Sequence, residues 1–317
     1  MTDLFRSRSD FEATIDAAAL RLEVDAAIVE KDYWVSQVLG ALARSHSSDF
    51  IFKGGTSLSK GYAIIERFSE DVDILVVPGD RGVSSRDTLM KAMAASAARV
   101  AEAVLGQAVN AEKGKHRTYD IAYPRHRPAG WLTAEVRLEM GVRGGPTPNS
   151  LRPISSLLAD ALSAADVSVE AYADLAPFEI LVLHPARTLI EKLALVNSLA
   201  ERCSADPSIR FPSRHGRHFY DIFKLLAHEP TLELLADREQ FEGIVADCER
   251  VSREEFESEY ERPHGGYAEG AAIVADADVS NDLRRAYEQA EELYFGTEPY
   301  PTWERVIERI RANAPML

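Results

Sequence analysis

Only two cysteines, Cys203 and Cys248, occur in the 317 residues. They supply neither a disulfide framework nor a Cys-based metal spacing, which points to a reducing compartment. Long apolar runs are missing too. No stretch approaches the roughly 20 residues a membrane-spanning helix needs, and the opening MTDLFRSRSD has no apolar segment of the secretory-leader kind. The expectation is a cytoplasmic chain with no membrane contact. Basic charge is scarce, with 36 Lys and Arg against 51 Asp and Glu, for a formal net charge of −15. Non-specific nucleic-acid binding over the whole surface is therefore disfavoured, and any such contact needs a local basic patch. A Gly-Lys-Ser/Thr phosphate loop is also absent, because the order here is Gly55, Lys60, Gly61.

What is present is an ordinary globular composition, 46% hydrophobic and 27% charged, in a length that holds one large domain or two. The most informative stretch runs from Phe50 to Val77. A short apolar strand (Phe50 to Phe52) leads into a Gly54-Gly55 turn, a helix opening near Thr56 and Ser57, and a second strand from Asp71 to Val77. Side chains alternate along a strand, so Asp71 and Asp73 share a face while Val72 and Ile74 take the other. Two adjacent carboxylates repel, and a divalent cation relieves the repulsion. With no Cys or His nearby, magnesium or manganese (Mg2+ or Mn2+) suits the pair better than zinc. The glycines let backbone approach a ligand, and the helix start directs unsatisfied N–H groups outward, as a phosphate requires. The structural alternative is a tight turn, a Thr/Ser helix cap and a solvated acidic strand end.

Lys53-Gly54-Gly55-Thr56-Ser57-Leu58-Ser59 followed by Arg67-Phe68-Ser69-Glu70-Asp71-Val72-Asp73 resembles the AbiEii/AbiGii toxin family, which includes MenT-like toxins. That family is part of the nucleotidyltransferase superfamily typified by DNA polymerase beta, with its Gly-Gly or Gly-Ser, helix and Asp-x-Asp signature. The resemblance spans about residues 30 to 227 and implies an α+β fold: a mixed β-sheet nucleotidyltransferase core flanked by helices, then a mainly helical C-terminal domain. It also implies a toxin that transfers a nucleoside monophosphate from an NTP to RNA, at the 3′ end of tRNA, and is paired with an AbiEi-like or kinase-type antitoxin. Rival readings are modification of a partner protein by the same apparatus, and an inactive nucleotide-binding module.

Other segments fill in the plan. Residues 9 to 45 read as helical, and Glu30-Lys31-Asp32-Tyr33-Trp34 reads as a packing helix with a charged outer face and no catalytic role. Arg86 to Leu105 has helical spacing and is expected to cover the sheet. The basic interval with Lys113, Lys115, His116, Arg117, Arg125, His126 and Arg127 is either a charged hairpin in solvent or an RNA-backbone contact. Ala134 to Met140 alternates as a strand. By resemblance its Glu139 completes the metal set of Asp71 and Asp73, with Glu135 and Asp120 as competitors and a surface ion pair as the alternative. Arg143 to Pro153 reads as a linker or lid, placing the domain boundary between 148 and 149.

Beyond it a strand is expected near Val167 to Val169, an apolar run at Phe178 to Leu183, and otherwise helices. The helix from Pro185 to Ala200 carries Lys192 at the edge of its apolar stripe, able to reach outward. On Arg217 to Leu226 the face Phe219, Ile222, Phe223 is opposed by Arg217, Asp221 and Lys224, and Arg217 with Asp221 has the spacing of an ion pair. The resemblance places Lys192 and Asp221 with Asp71, Asp73 and Glu139 as catalytic. It assigns Lys53, Gly54, Gly55, Thr56, Ser57, Ser69, Lys192 and Arg217 to the nucleotide. It further implies Ser69 as a phosphorylation site when the toxin is silenced, where the local reading is a turn residue leading into the strand. Residues 229 to 317 offer no nameable chemistry.

Overall fold

The computed structural model describes residues 3–130, 132–256, 260–275 and 277–317. It separates into two compact units, one of residues 1–63 and 68–182, the other of residues 64–67 and 183–317.

In the first unit, α1 (Phe11–Leu22) and α2 (Ala26–His46) precede β1 (Phe50–Lys53), α3 (Gly54–Lys60) and β2 (Asp71–Val76). Then come α4 (Val83–Val100), β3 (Asn110–Glu112), β4 (His116–Ala122), β5 (Glu135–Gly141), β6 (Asn149–Ile154), α5 (Leu157–Ser163) and β7 (Phe178–Leu183). Asp25 caps α2 by accepting from the Ala27 N–H at 2.8 Å. The seven strands form one mixed sheet in the order β3-β4-β5-β2-β1-β7-β6. β1 and β2 are antiparallel, β2 and β5 parallel, β4 and β5 antiparallel.

Period-two alternation decides which face is covered. Phe50 and Phe52 of β1, Val72, Ile74 and Val76 of β2, and Val136, Leu138 and Met140 of β5 enter one core with Val35, Val38 and Leu42 of α2 and Met90, Met93 and Ala97 of α4. The opposite face carries Lys53, Asp71, Asp73 and Glu139 together with the buried Ile51 and Leu75.

Four expectations change here. The segment expected as linker or lid contains β6, whose Pro153 is tolerated because that strand is the sheet's edge. With β6 and β7 completing the sheet, the first unit continues past 148 to Val182. Val167 to Val169 forms no strand. Glu30 and Lys31, expected on an outer charged face, have no exposed surface, because each finds a buried partner.

The second unit holds α6 (Pro185–Ala205), α7 (Arg217–Leu225), α8 (Glu229–Ala236), α9 (Arg238–Phe256), α10 (Ala271–Val274), α11 (Ala277–Gln289) and α12 (Trp303–Ala312). Leu189, Leu193, Val196 and Ala200 are the fully buried stripe of α6, as their spacing predicts. The helical reading of 229 to 317 includes residues 257–259 and 276, which lie outside the described residues.

Candidate active site

That face of the sheet collects the acids. The ladder sets Asp73 opposite Glu139 on one side and opposite Lys53 on the other, and sets Asp71 opposite Arg137. One strand further out, Asp120 lies opposite Arg137 and Thr118 opposite Glu139. Residues in register share a face, so Lys53, Asp71, Asp73 and Glu139 occupy one patch. Of the competitors, Asp120 is engaged. Arg137 Nε and Nη2 donate to its two oxygens at 2.8 and 3.0 Å, holding its carboxyl below the usual range. That same hydrogen bond comes first in raising Arg137, to which the charges of Asp71 and Glu139 also contribute. Glu135 stands opposite Ala122, at the far end of β5 from Glu139.

Gly54 opens α3 with φ +78°, a conformation that favours glycine. A Cβ there would overlap the Asp73 carboxylate, lying 2.7 Å from its Cγ. The turn and the acidic strand are thus packed against one another. Thr56 joins them again: its Oγ1 is 2.5 Å from the Asp71 carbonyl oxygen and 2.9 Å from Ser69 Oγ. With one hydrogen to give, Thr56 donates to the carbonyl and accepts from Ser69. Ser57 Oγ donates to the Gly54 carbonyl at 2.8 Å. Both hydroxyls hold the turn in place, and Gly55, Thr56 and Ser57 are buried.

Asp71 and Asp73 are hard oxygen donors on one face, and the missing Cβ of Gly54 leaves room for one of them. Among the described residues no three His, Cys, Asp or Glu side chains converge as a metal-binding group. Two carboxylates on one face are a donor set that suits a hard divalent cation.

Much of the basic interval is neutralised internally. Lys115 pairs with Glu112 at 2.6 Å, Arg117 with Asp87 at 2.7 Å, and Arg127 with Asp16 at 2.7 Å and with Glu12 at 2.9 Å. His126 Nδ1 lies 3.0 Å from Glu12. The interval spans the turn after β3, then β4 and the loop that follows it.

Lys192, Arg217 and Asp221 belong to the second unit. Asp221, expected opposite the apolar face of α7, has no exposed surface, because Arg67 closes over it. Arg67 Nε and Nη2 donate to its two oxygens, each at 2.7 Å. Lys192, expected to reach outward, is buried, with Nζ 2.9 Å from Asp221 Oδ2. Burial alone would raise the Asp221 pKa, but Arg67 and then Lys192 more than reverse this, holding it well below the carboxylate range. Burial lowers Lys192, opposed by Asp221.

An ammonium only donates, so Lys192 Nζ gives a hydrogen to His218 Nδ1 at 3.0 Å. That places the ring hydrogen on His218 Nε2, which donates to His215 Nδ1 at 3.1 Å. Arg217 begins α7, one turn before Asp221. The sequence flagged Lys192 and Asp221 but gave Arg67 no role. Its only signal was its place at the head of the Arg67-Phe68-Ser69-Glu70-Asp71 motif.

A mixed sheet that presents two alternating carboxylates beside a Gly-Gly turn is the core of a nucleotidyltransferase. More narrowly, the chain belongs to the nucleotidyl transferase AbiEii toxin family of type IV toxin–antitoxin systems, which it matches over residues 37–309. Among solved structures it is similar to MenT4, nucleotidyltransferase toxin Rv2826c from Mycobacterium tuberculosis H37Rv, at 17% identity and a TM-score of 0.39. That match covers 88% of this chain and 97% of the other. No curated protein matches it in sequence.

Proposed function

We infer that this toxin transfers a nucleoside monophosphate from an NTP to RNA, at the 3′ end of tRNA, and so blocks translation until a cognate antitoxin neutralises it. The observation that carries the reading is the placement of Asp71 and Asp73 on one face of β2, with Asp73 in register with Glu139 and packed on Gly54. Asp71 and Asp73 would hold Mg2+ or Mn2+, which when bound neutralises phosphate charge and makes an attacking hydroxyl more acidic. The protein's own part is positioning. Lys53 offers a cation at the end of β1, and the backbone of the turn at Gly54 and Gly55 offers a close approach to the donor's phosphates. Lys192, Arg217 and Asp221 are assigned to the same reaction on the family pattern, and Ser69, bonded to Thr56, to control of the turn.

The test is incubation with total tRNA, Mg2+ and each labelled NTP in turn. Label on RNA from one NTP, lost in Asp73→Ala, is the expected result. A partner protein as acceptor is the second reading, favoured by the pairing of Lys115, Arg117 and Arg127 with neighbouring carboxylates, which engages these three cations of the basic interval. It predicts label in protein and none in RNA.

A further inference from the structure

Three consecutive residues of α2, the buried Glu30 and Lys31 and the partly buried Asp32, send their charges to three different places. Lys31 has no exposed surface, and its ammonium donates to Glu70 Oε2 (2.5 Å), Thr133 Oγ1 (2.5 Å) and the Thr133 carbonyl (3.0 Å). All three ammonium hydrogens are used. Thr133 Oγ1 in turn donates to the same Glu70 oxygen at 2.7 Å, closing a ring. Glu70 directly precedes Asp71, and Thr133 lies just ahead of β5. The ring therefore ties together the starts of the two strands that carry Asp71, Asp73 and Glu139.

The next residue, Asp32, serves the other half of the site. Its Oδ1 is 2.6 Å from Nζ of Lys60, the last residue of α3, and its Oδ2 accepts from the Leu157 N–H at 2.7 Å. Lys60 also donates to the Ser155 carbonyl at 3.0 Å. Glu30, just before Lys31, accepts the N–H groups of His126 and Arg127, each at 2.8 Å.

Stability alone does not account for such an arrangement. Replacing a buried ion pair by apolar side chains of similar volume is often neutral or favourable, so a packing helix has no need of three charges in a row. Directional bonds, unlike apolar contacts, fix where their partners lie. We propose that Lys31 and Asp32 are positioning residues, Lys31 setting the acidic strands and Asp32 setting the Gly-Gly helix, so that one turn of α2 fixes the spacing between the cation-holding and phosphate-holding halves. This rests on the function proposed above.

Because the two halves are held by different residues, their loss separates in binding as well as in turnover. The test measures Mn2+ binding by electron paramagnetic resonance and metal-free NTP binding by calorimetry, for wild type, Lys31→Met and Asp32→Asn, with melting curves as a folding check. Lys31→Met is expected to weaken Mn2+ by about tenfold, the scale seen when a ligand's supporting partner is lost, with NTP binding little changed. Asp32→Asn is expected to do the reverse. Should either variant fail to fold, Thr133→Val and Lys60→Met read the same two quantities. A cycle with Asp32→Lys and Lys60→Asp together, restoring NTP binding, separates positioning from mere packing. Variants that are folded and bind both ligands as wild type does overturn the positioning role alone. Wild type that binds neither ligand overturns the proposed function, and this inference falls with it.

Discussion

Gly54 and Asp73 occupy one another's space. The Asp73 carboxylate fills the volume a Cβ on residue 54 would need, and residue 54 has a positive φ besides. The two halves of the motif are therefore a single packed object. Gly54→Ala is expected to cost about 1–2 kcal/mol in stability from the left-handed backbone. Displacement of Asp73 should lower transfer by about 100-fold, as an ångström of misplacement can. Melting curves and label incorporation check the two effects separately. An active Gly54→Ala enzyme would show that Asp73 has no fixed position to keep.

Within the acidic patch the residues should not count equally. Asp71→Asn and Asp73→Asn are expected to abolish metal-dependent transfer, whereas Glu139→Gln, which is more exposed, should retain part of it. Chelation with EDTA should stop wild-type transfer, and Mg2+ or Mn2+ should restore it. Initial rates across a metal titration measure both, and transfer that survives chelation contradicts the role given to the pair.

Asp221 balances two buried cations, Arg67 and Lys192. Asp221→Leu leaves two like charges together and is expected to destabilise by about 3–5 kcal/mol, the usual result of orphaning buried charge. Arg67→Met leaves the Lys192 to Asp221 pair intact and should cost less. Urea unfolding of the two variants and of the double substitution tests this order, and equal losses would contradict it.

Burial, and then the charge of Lys192, hold His218 down to about 3, and burial lowers His215 to about 4. Both remain neutral in the folded chain where free imidazoles would gain a proton. A depressed base contributes stability fully above the ordinary histidine pKa of about 6.5 and loses it as pH falls. His218 alone should remove about 1.4 kcal/mol per pH unit below that point, the more exposed His215 less. Comparing urea unfolding at pH 7 and pH 5, the decline should be shallower by one proton in His218→Gln. Identical declines would place the titration elsewhere.

The parts of this molecule that could be read from sequence are those written in local pattern. Apolar Phe50 to Phe52, two glycines and the alternation Asp71-Val72-Asp73 specify strand, turn, helix and strand within one short segment. The strand around Glu139 and the stripe of α6 follow from period alone. What stayed hidden depends on distant partners. No local feature announces that Arg67 will close over Asp221, that Lys31 will meet Glu70 and Thr133, or that a Pro-rich segment will become an edge strand. Charges at Lys31, Lys192 and Asp221 looked solvent-facing because periodicity marks apolar stripes and cannot mark a buried ion that is compensated from elsewhere in the chain.

Residues 64–67 belong to the second compact unit, although they lie in sequence between α3 and β2. The polypeptide leaves the first unit and returns to it inside the motif itself, only a few residues before Asp71. A fragment stopped at Val182 would keep Arg67 but lose the carboxylate that neutralises it, so the sheet cannot be excised as a working module. Gene fusion or domain shuffling at that point would separate the two members of a salt bridge, which ties the inheritance of the helical half to that of the sheet.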